Sequence, residues 1–377
     1  MKTPICDRLG CEVPVFAFSH CRDVVVEVTK AGGFGVLGAS TISPEQLEAE
    51  LRWIDEHVGG KPYGVDVIIP VKYDREAEAS ATNDMFSLVP AEHRAFVDAL
   101  LEKEGVPPLP EDDRERVRRE IVEGRGSHTP EGARRLLRVA LAHPQVKLVV
   151  SALGAPPPDV SAELRERRVM LGALCGKAAH VPRHREAGVE LLIAQGTEAG
   201  GHTGDISTLV LVPDIVAATG GEIPVLAAGG ITRGSQILAA LSLGAEGVWC
   251  GTIWLGTRES ELEPFEKEVM FAARAEDAVR RKARTGKTVR MIRSKMSEAW
   301  EQPGAPAYLL PPLQGLLYNE AHARVVRAKR KDLYSFPAGQ SVGALTEETS
   351  VRDVMYRLQS EYIEAAERLG GILEGAA

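Results

Sequence analysis

The chain has no apolar run approaching the roughly 20 residues that a membrane-spanning helix needs, and its start, MKTPICDRLG, lacks the apolar core of a secretion signal. It has no excess of positive charge. With 45 Lys and Arg against 53 Asp and Glu, the formal net charge is −8, which argues against a nucleic-acid partner because a polyanion needs a basic face. Five cysteines, Cys6, Cys11, Cys21, Cys175 and Cys250, form no CxxC pair; neither a zinc site nor a disulfide framework is expected, and the odd number suits reduced thiols. His180 and His184 have i, i+4 spacing but no supporting Cys or carboxylate cluster, so no metal is assigned. The sequence shows no solenoid-period repeat and no low-complexity tract, and no Rossmann fingerprint is read in it. What remains is a soluble, cytoplasmic protein whose partner is a small molecule, with no membrane or nucleic acid involved and an oligomer left open.

The 377 residues, 44% hydrophobic and 26% charged, suffice to bury a sizeable core in one large α/β domain with additions. Eight short apolar or β-branched runs recur: Pro14 to Phe18, Phe34 to Ala39, Tyr63 to Ile69, Val146 to Ala152, Val169 to Leu174, Val189 to Ala194, Pro224 to Ala228 and Gly247 to Cys250. Amphipathic segments lie between them, including Pro44 to His57, Pro130 to Ala142, Cys175 to Ala187 and Arg233 to Leu243. Such alternation predicts a parallel sheet covered on both faces, and eight units predict a (β/α)8 TIM barrel. The barrel is assigned to residues 1–260 and 341–377. A charge-dense, proline-punctuated stretch within residues 70–129 reads as a lid insertion, with a disordered surface excursion as the alternative. Residues 261–340 read as a small helical cap region, the basic run Ala328 to Lys331 as a solvated helix end, and Ser350 to Leu369 as an amphipathic helix returning to the barrel.

Active sites of such barrels lie where the strands end. After the sixth run comes Gln195 to Gly204, QGTEAGGHTG, where glycines allow backbone to approach a flat ligand and His202 carries a group that exchanges protons near neutral pH. Glycines after a strand also serve plain tight turns, and a lone histidine is more often a hydrogen-bonded structural residue. Two further glycine loops follow in order, Ala228-Gly229-Gly230-Ile231 and Cys250-Gly251-Thr252. Together with the start of the next helix, they suit a phosphate. FMN, a sugar phosphate and a nucleotide all satisfy that pattern.

PVLAAGGI at Pro224 to Ile231, GAEGVWCGT at Gly244 to Thr252, AGGFGVLGA at Ala31 to Ala39, QGTEAGGHTG and the later GQSVG at Gly339 to Gly343 resemble the nitronate monooxygenase family, formerly called 2-nitropropane dioxygenases. The resemblance covers about three quarters of the chain and leaves the lid insertion outside. It implies an FMN-dependent barrel enzyme that oxidises alkyl nitronates or nitroalkanes with O2 to a carbonyl compound and nitrite. Carried over by position, Gly229, Gly230, Gly251 and Thr252 would hold the FMN phosphate. Gln195, Gly200 and Gly201 would lie along the isoalloxazine, Gln340 near the flavin, and His202 would be the catalytic base. Ala17, Phe18 and Asp66 are added to the cofactor set, and His20 to the substrate pocket.

Two departures from the family pattern bear on substrate. FAFSH at Phe16 to His20 replaces a Gln-Ala-Pro-Met run, and Gly64-Val65-Asp66 replaces Gly-Val-Asn. An uncompensated Asp66 carboxylate would disfavour an anionic substrate unless it pairs with a basic group such as His20, or binds the ribityl chain. The alternative activities are an NAD(P)H-dependent flavin reductase of the enoyl-ACP or quinone type and a flavin-binding protein without turnover.

Overall fold

The computed structural model describes residues 1–40, 42–70, 83–126 and 129–374. Helix α1 (Pro4–Leu9) precedes a repeating strand and helix series: β1 (Val15–Ser19), α2 (Arg22–Lys30), β2 (Phe34–Gly38), α3 (Pro44–His57) and β3 (Tyr63–Val67). Within the stretch read as a lid, α4 (Ala91–Lys103) and α5 (Glu111–Gly126) follow. The alternation resumes with α6 (Pro130–Leu141), β4 (Val146–Ser151), α7 (Pro158–Glu166), β5 (Met170–Cys175), α8 (Val181–Glu186), β6 (Leu191–Gln195), α9 (Thr208–Thr219), β7 (Val225–Ala228), α10 (Gly234–Ser242) and β8 (Gly247–Cys250). All eight strands are parallel and in sequence order, and β8 pairs with β1 to close the barrel.

Strand alternation sorts the side chains into two cores. Phe16, Phe34, Val36, Leu148, Val150, Leu191, Ile193, Leu226 and Trp249 fill the barrel interior, while Val15, Ala17, Val65, Val149 and Leu192 face the helices. Helix α1 seals the N-terminal end, because its Ile5, Cys6 and Leu9 join the interior cluster. Close packing explains Gly35: a Cβ there would lie 2.3 Å from the Val25 carbonyl oxygen of α2. Gly33, Gly35 and Gly38 spell GxGxxG, but the spacing runs along β2 itself. It lacks the strand-to-helix turn that lets such glycines cradle a pyrophosphate.

Beyond β8 come α11 (Pro264–Ala272), the antiparallel hairpin β9 (Ala278–Arg281) and β10 (Val289–Ile292), α12 (Lys295–Ala299) and α13 (Leu313–Arg327). The hairpin adds two strands to residues 261–340, a region expected to be helical with a proline-rich turn; its strands flank the Gly286 turn, where φ is +79°. The insertion and this region are clasped together: Arg118 forms a bidentate pair with Glu320 at 2.8 and 3.2 Å, and Arg324 reaches Asp98 at 2.6 Å. The basic run at Ala328 to Lys331 is not merely solvated, since Arg330 pairs with Asp332 at 2.8 Å and Glu104 at 3.1 Å.

The segment from Cys175 to Ala187 is helical only over α8, after a short turn at Ala178–His180. The last helix, α14 (Val351–Glu374), returns to pack on α10 and α2. Among the described residues no helix is long and apolar enough to cross a membrane. The described part of residues 70–129 consists of α4, α5 and their flanks; residues 71–82 and 127–128 lie outside the described residues.

Candidate active site

The loops leaving β6, β7 and β8 are knotted to one another at the C-terminal mouth. Gln195 pairs in register with Ala228, and the Gly196 N–H donates to the Ala228 carbonyl at 2.9 Å. The Glu198 carboxylate accepts from the Thr208 N–H at 2.9 Å and from its hydroxyl at 2.8 Å, fastening the loop to the start of α9. Gly229 has φ +111°, and a Cβ there would stand 2.7 Å from the Thr208 hydroxyl, so only glycine suits this corner. On the other side, Gly200 lies against the backbone of Ala338 and Gly339, the Gln340 N–H donates to the Glu198 carbonyl at 2.9 Å, and the Gly339 N–H donates to Thr252 Oγ1 at 2.9 Å. Gln195, Gly200, Gly201, Gly229, Gly230, Gly251, Thr252 and Gln340 are thereby drawn into one connected rim.

Gly251 differs from its neighbours. Its φ of −116° suits any residue, and a Cβ there would meet only Phe18, at 3.8 Å from the ring and 3.9 Å from the carbonyl oxygen. Its open face therefore leaves room for a ligand. The start of α10, expected to complete an anion nest, is already engaged: the Gly234 N–H donates to Glu361 Oε2 at 2.8 Å, and the Thr232 and Arg233 amides donate to Gln236 Oε1. An anion at this end would be held by the glycine loops alone.

His202 is exposed at the mouth, on a loop bridged to β10. Its Nδ1 lies 3.0 Å from the Thr288 carbonyl, which fixes the ring and leaves Nε2 for chemistry. Crowding within the concavity lowers its pKa below the ordinary 6.5; the Thr288 carbonyl opposes this, and the charges of Lys287 and Arg284 reinforce it. Arg290 anchors the loop from beneath, with Nε donating to the Thr197 carbonyl at 2.7 Å and Nη1 to that of Ala278. Neither Arg290 nor Glu198 was singled out in the sequence. Glu198 lay inside the histidine motif itself, whereas Arg290 sat among basic residues indistinguishable from a solvated surface.

The opposite wall comes from β1, β2 and β3. Phe18 points inward and stacks on Trp249 with ring centroids 6.0 Å apart; His20 meets Phe18 edge-on at 5.2 Å. The exposed His20 places Nδ1 2.9 Å from the Gly38 carbonyl. His20 forms no ion pair with Asp66, against the pairing considered from sequence. The Ala17 side chain is buried in the outer core, so only its backbone is left to meet a ligand in the mouth. Asp66 is 3% exposed, and burial alone drives its pKa well above the usual carboxylate range.

The nitronate monooxygenase family profile matches residues 19–361. The chain belongs to the nitronate monooxygenase family. A Mycobacterium tuberculosis protein provisionally named a monooxygenase is 46% identical over 382 positions, spanning 99% of this chain and 100% of that one. A Staphylococcus aureus protein provisionally named a nitronate monooxygenase is 26% identical, spanning 90% of this chain and 92% of its own length. Among solved structures, a nitroalkane oxidase of Streptomyces ansochromogenes superposes with TM-score 0.75 at 25% identity, covering 97% of this chain and 99% of that one. FabK of Thermotoga maritima shares the fold, with TM-score 0.73 at 24% identity and 99% coverage of both chains.

This nitronate monooxygenase family member is thus an oxidoreductase built on a (β/α)8 barrel. The family match runs from the end of β1 into α14 and across residues 70–129, the stretch that the sequence reading had placed outside the resemblance.

Proposed function

We propose that this chain is an FMN-dependent oxidoreductase that converts alkyl nitronates, or the parent nitroalkanes, and O2 to a carbonyl compound and nitrite. The observation carrying this reading is His202, fixed at Nδ1 and held below its ordinary proton affinity, on a rim shared with the glycine loops of β7 and β8. The residues fit a flat phosphorylated cofactor: Gly251 opens onto free space beside Phe18, and Asp66 is a buried polar group whose carboxyl has no partner among the described residues.

In this reading Gly229, Gly230, Gly251 and Thr252 hold the phosphate. Gln195, Gly200, Gly201, Gln340, Phe18, Asp66 and the Ala17 backbone line the rest of the cofactor seat, while His20 borders the substrate. The flavin supplies electron transfer when bound. His202, neutral at physiological pH, accepts the α-proton of a nitroalkane at Nε2; for a preformed nitronate no proton need be removed. Lys287 and Arg284, the cations whose charges reach His202, favour an anion in the mouth. All five cysteines are free and buried, which suits a reducing cytoplasm.

A second reading rests on Lys287, which has no ion-pair partner among the described residues and lies close enough to His202 to perturb it. A cation there also suits the phosphates of NAD(P)H, and with it a flavin reductase. The two readings separate in one experiment on purified protein loaded with FMN. Aerobic nitrite release from propionate 3-nitronate or 2-nitropropane without NAD(P)H supports the oxidase reading. Rapid anaerobic bleaching of the flavin by NADH or NADPH, with no nitrite formed from either nitro compound, overturns it in favour of the reductase.

A further inference from the structure

Asp66 lies near the C-terminal end of β3, and alternation fixes its direction. The outward set on this strand is Tyr63, Val65 and Val67, all in the helix-facing core, with the Tyr63 hydroxyl donating to Asp55 of α3 at 2.8 Å. The inward set is Gly64 and Asp66. A Cβ on Gly64 would meet Phe34 and Val36 of the barrel interior at 3.2 Å, and Asp66 stands one inward step nearer the mouth. Its register neighbours are Gly38 on β2 and Val150 on β4.

The carboxyl is 3% exposed and makes no hydrogen bond or ion pair among the described residues. The strands packed around it supply no compensating charge. On β1 and β2 the nearest titratable group is His20, whose Nδ1 is committed to the Gly38 carbonyl. Inward positions on β4, β5 and β6 are Val150, Leu174, Ile193 and Gln195, and on β8 Trp249. Among the described residues no charge of either sign contributes to the shift in its proton affinity, which is due to burial. An ionised carboxylate left there without a partner would carry a large uncompensated desolvation cost. A protonated one presents an O–H donor and a carbonyl acceptor on the same small group, the hydrogen-bonding pattern of a carboxamide.

We propose that Asp66 works as a neutral carboxylic acid that hydrogen-bonds a polar group of the bound flavin, donor and acceptor at once. This rests on the flavin reading above and goes beyond it in two respects. It assigns the protonation state in which Asp66 serves the cofactor. It also removes the objection to an anionic substrate, because a neutral Asp66 does not repel a nitronate.

The test uses the full chain and three forms: wild type, Asp66→Asn and Asp66→Leu. In flavin-free wild type, infrared spectroscopy should show the carbonyl stretch of a buried protonated acid at neutral pH, absent from both variants. FMN affinity, followed by flavin fluorescence, should be within about threefold for wild type and Asp66→Asn at neutral pH. Asp66→Leu, which fills the space without polarity, should bind at least about tenfold more weakly. As pH rises the wild type should lose affinity while Asp66→Asn stays flat. Absence of the protonated-acid band overturns the inference, and so does a pH-independent wild type or an Asp66→Leu variant of undiminished affinity. Failure of every form, wild type included, to take up FMN would instead defeat the flavin reading on which the inference stands.

Discussion

Gly201 and Arg290 exchange both of their backbone hydrogen bonds, the Gly201 N–H donating to the Arg290 carbonyl at 3.0 Å and the Arg290 N–H to the Gly201 carbonyl at 2.8 Å. His202 therefore hangs from a one-residue antiparallel bridge between a barrel loop and the β9–β10 hairpin. Its ring is set by two bodies that the sequence keeps far apart: the Gly201 φ of +80° turns the chain toward the hairpin, and Thr288 of the hairpin then receives Nδ1.

Replacing His202 by Ala should leave flavin bound and lower turnover of neutral nitroalkane by about 100-fold, with a much smaller loss on the preformed nitronate. Steady-state nitrite release with the two substrates checks this. Equal losses on both would rule out a role as base.

Because burial lowers the proton affinity of His202, the nitroalkane rate should fall on the acid side only below the ordinary histidine value. Arg290→Lys, which cannot keep both the Thr197 and Ala278 contacts, should loosen the loop, relieve the crowding that lowers the His202 pKa and move that acid limb upward. A pH–rate profile reads the shift. An unmoved limb with unchanged turnover would mean that Arg290 does not position His202.

Gly251 offers a cleaner probe of the cofactor seat than Gly229 or Gly230. Both of those have positive φ, and any side chain strains them regardless of ligand. A Cβ at Gly251 makes only ordinary contacts with Phe18, on ordinary backbone. Gly251→Val should therefore retain the wild-type melting temperature in the absence of flavin yet lose most FMN retention. Full flavin content in this variant would remove Gly251 from the seat.

His184 in α8 is 3% exposed, its Nδ1 is buried with no hydrogen-bond partner among the described residues, and desolvation pulls its pKa from 6.5 to about 4. A group depressed in the folded state contributes stability that is present above its unfolded value and is lost as pH falls toward the folded one. Between pH 6.5 and about 4 the chain should lose up to roughly 3 kcal/mol from this site. His184→Leu should flatten that part of the thermal-melting profile. An equally steep decline in the variant would assign the acid sensitivity elsewhere, for example to His322, which is lowered to about 3.

The barrel was legible because eight apolar runs at regular spacing leave few alternatives, and the histidine motif because glycines mark where β6 ends. The direction of each side chain was not. In a parallel strand covered on both faces, Ala17 and Phe18 are equally apolar, and only the closed sheet shows Ala17 facing the helices and Phe18 the mouth. The His20 and Asp66 pairing failed for a related reason: the backbone carbonyl of Gly38 lies closer to His20 than any carboxylate does, and sequence does not display carbonyls. Arg290 was hidden because its partners, Thr197 in the loop after β6 and Ala278 in β9, lie in segments far from it in sequence or across a hairpin.

The contact between Gly234 and Glu361 joins residues 127 positions apart. With Arg357 donating to the Thr232 carbonyl at 3.1 Å, it makes the last helix a stopper on the N-terminal end of α10, so that the width of the space beside the loop after β7 is set by a stretch of chain that contributes no strand to the barrel.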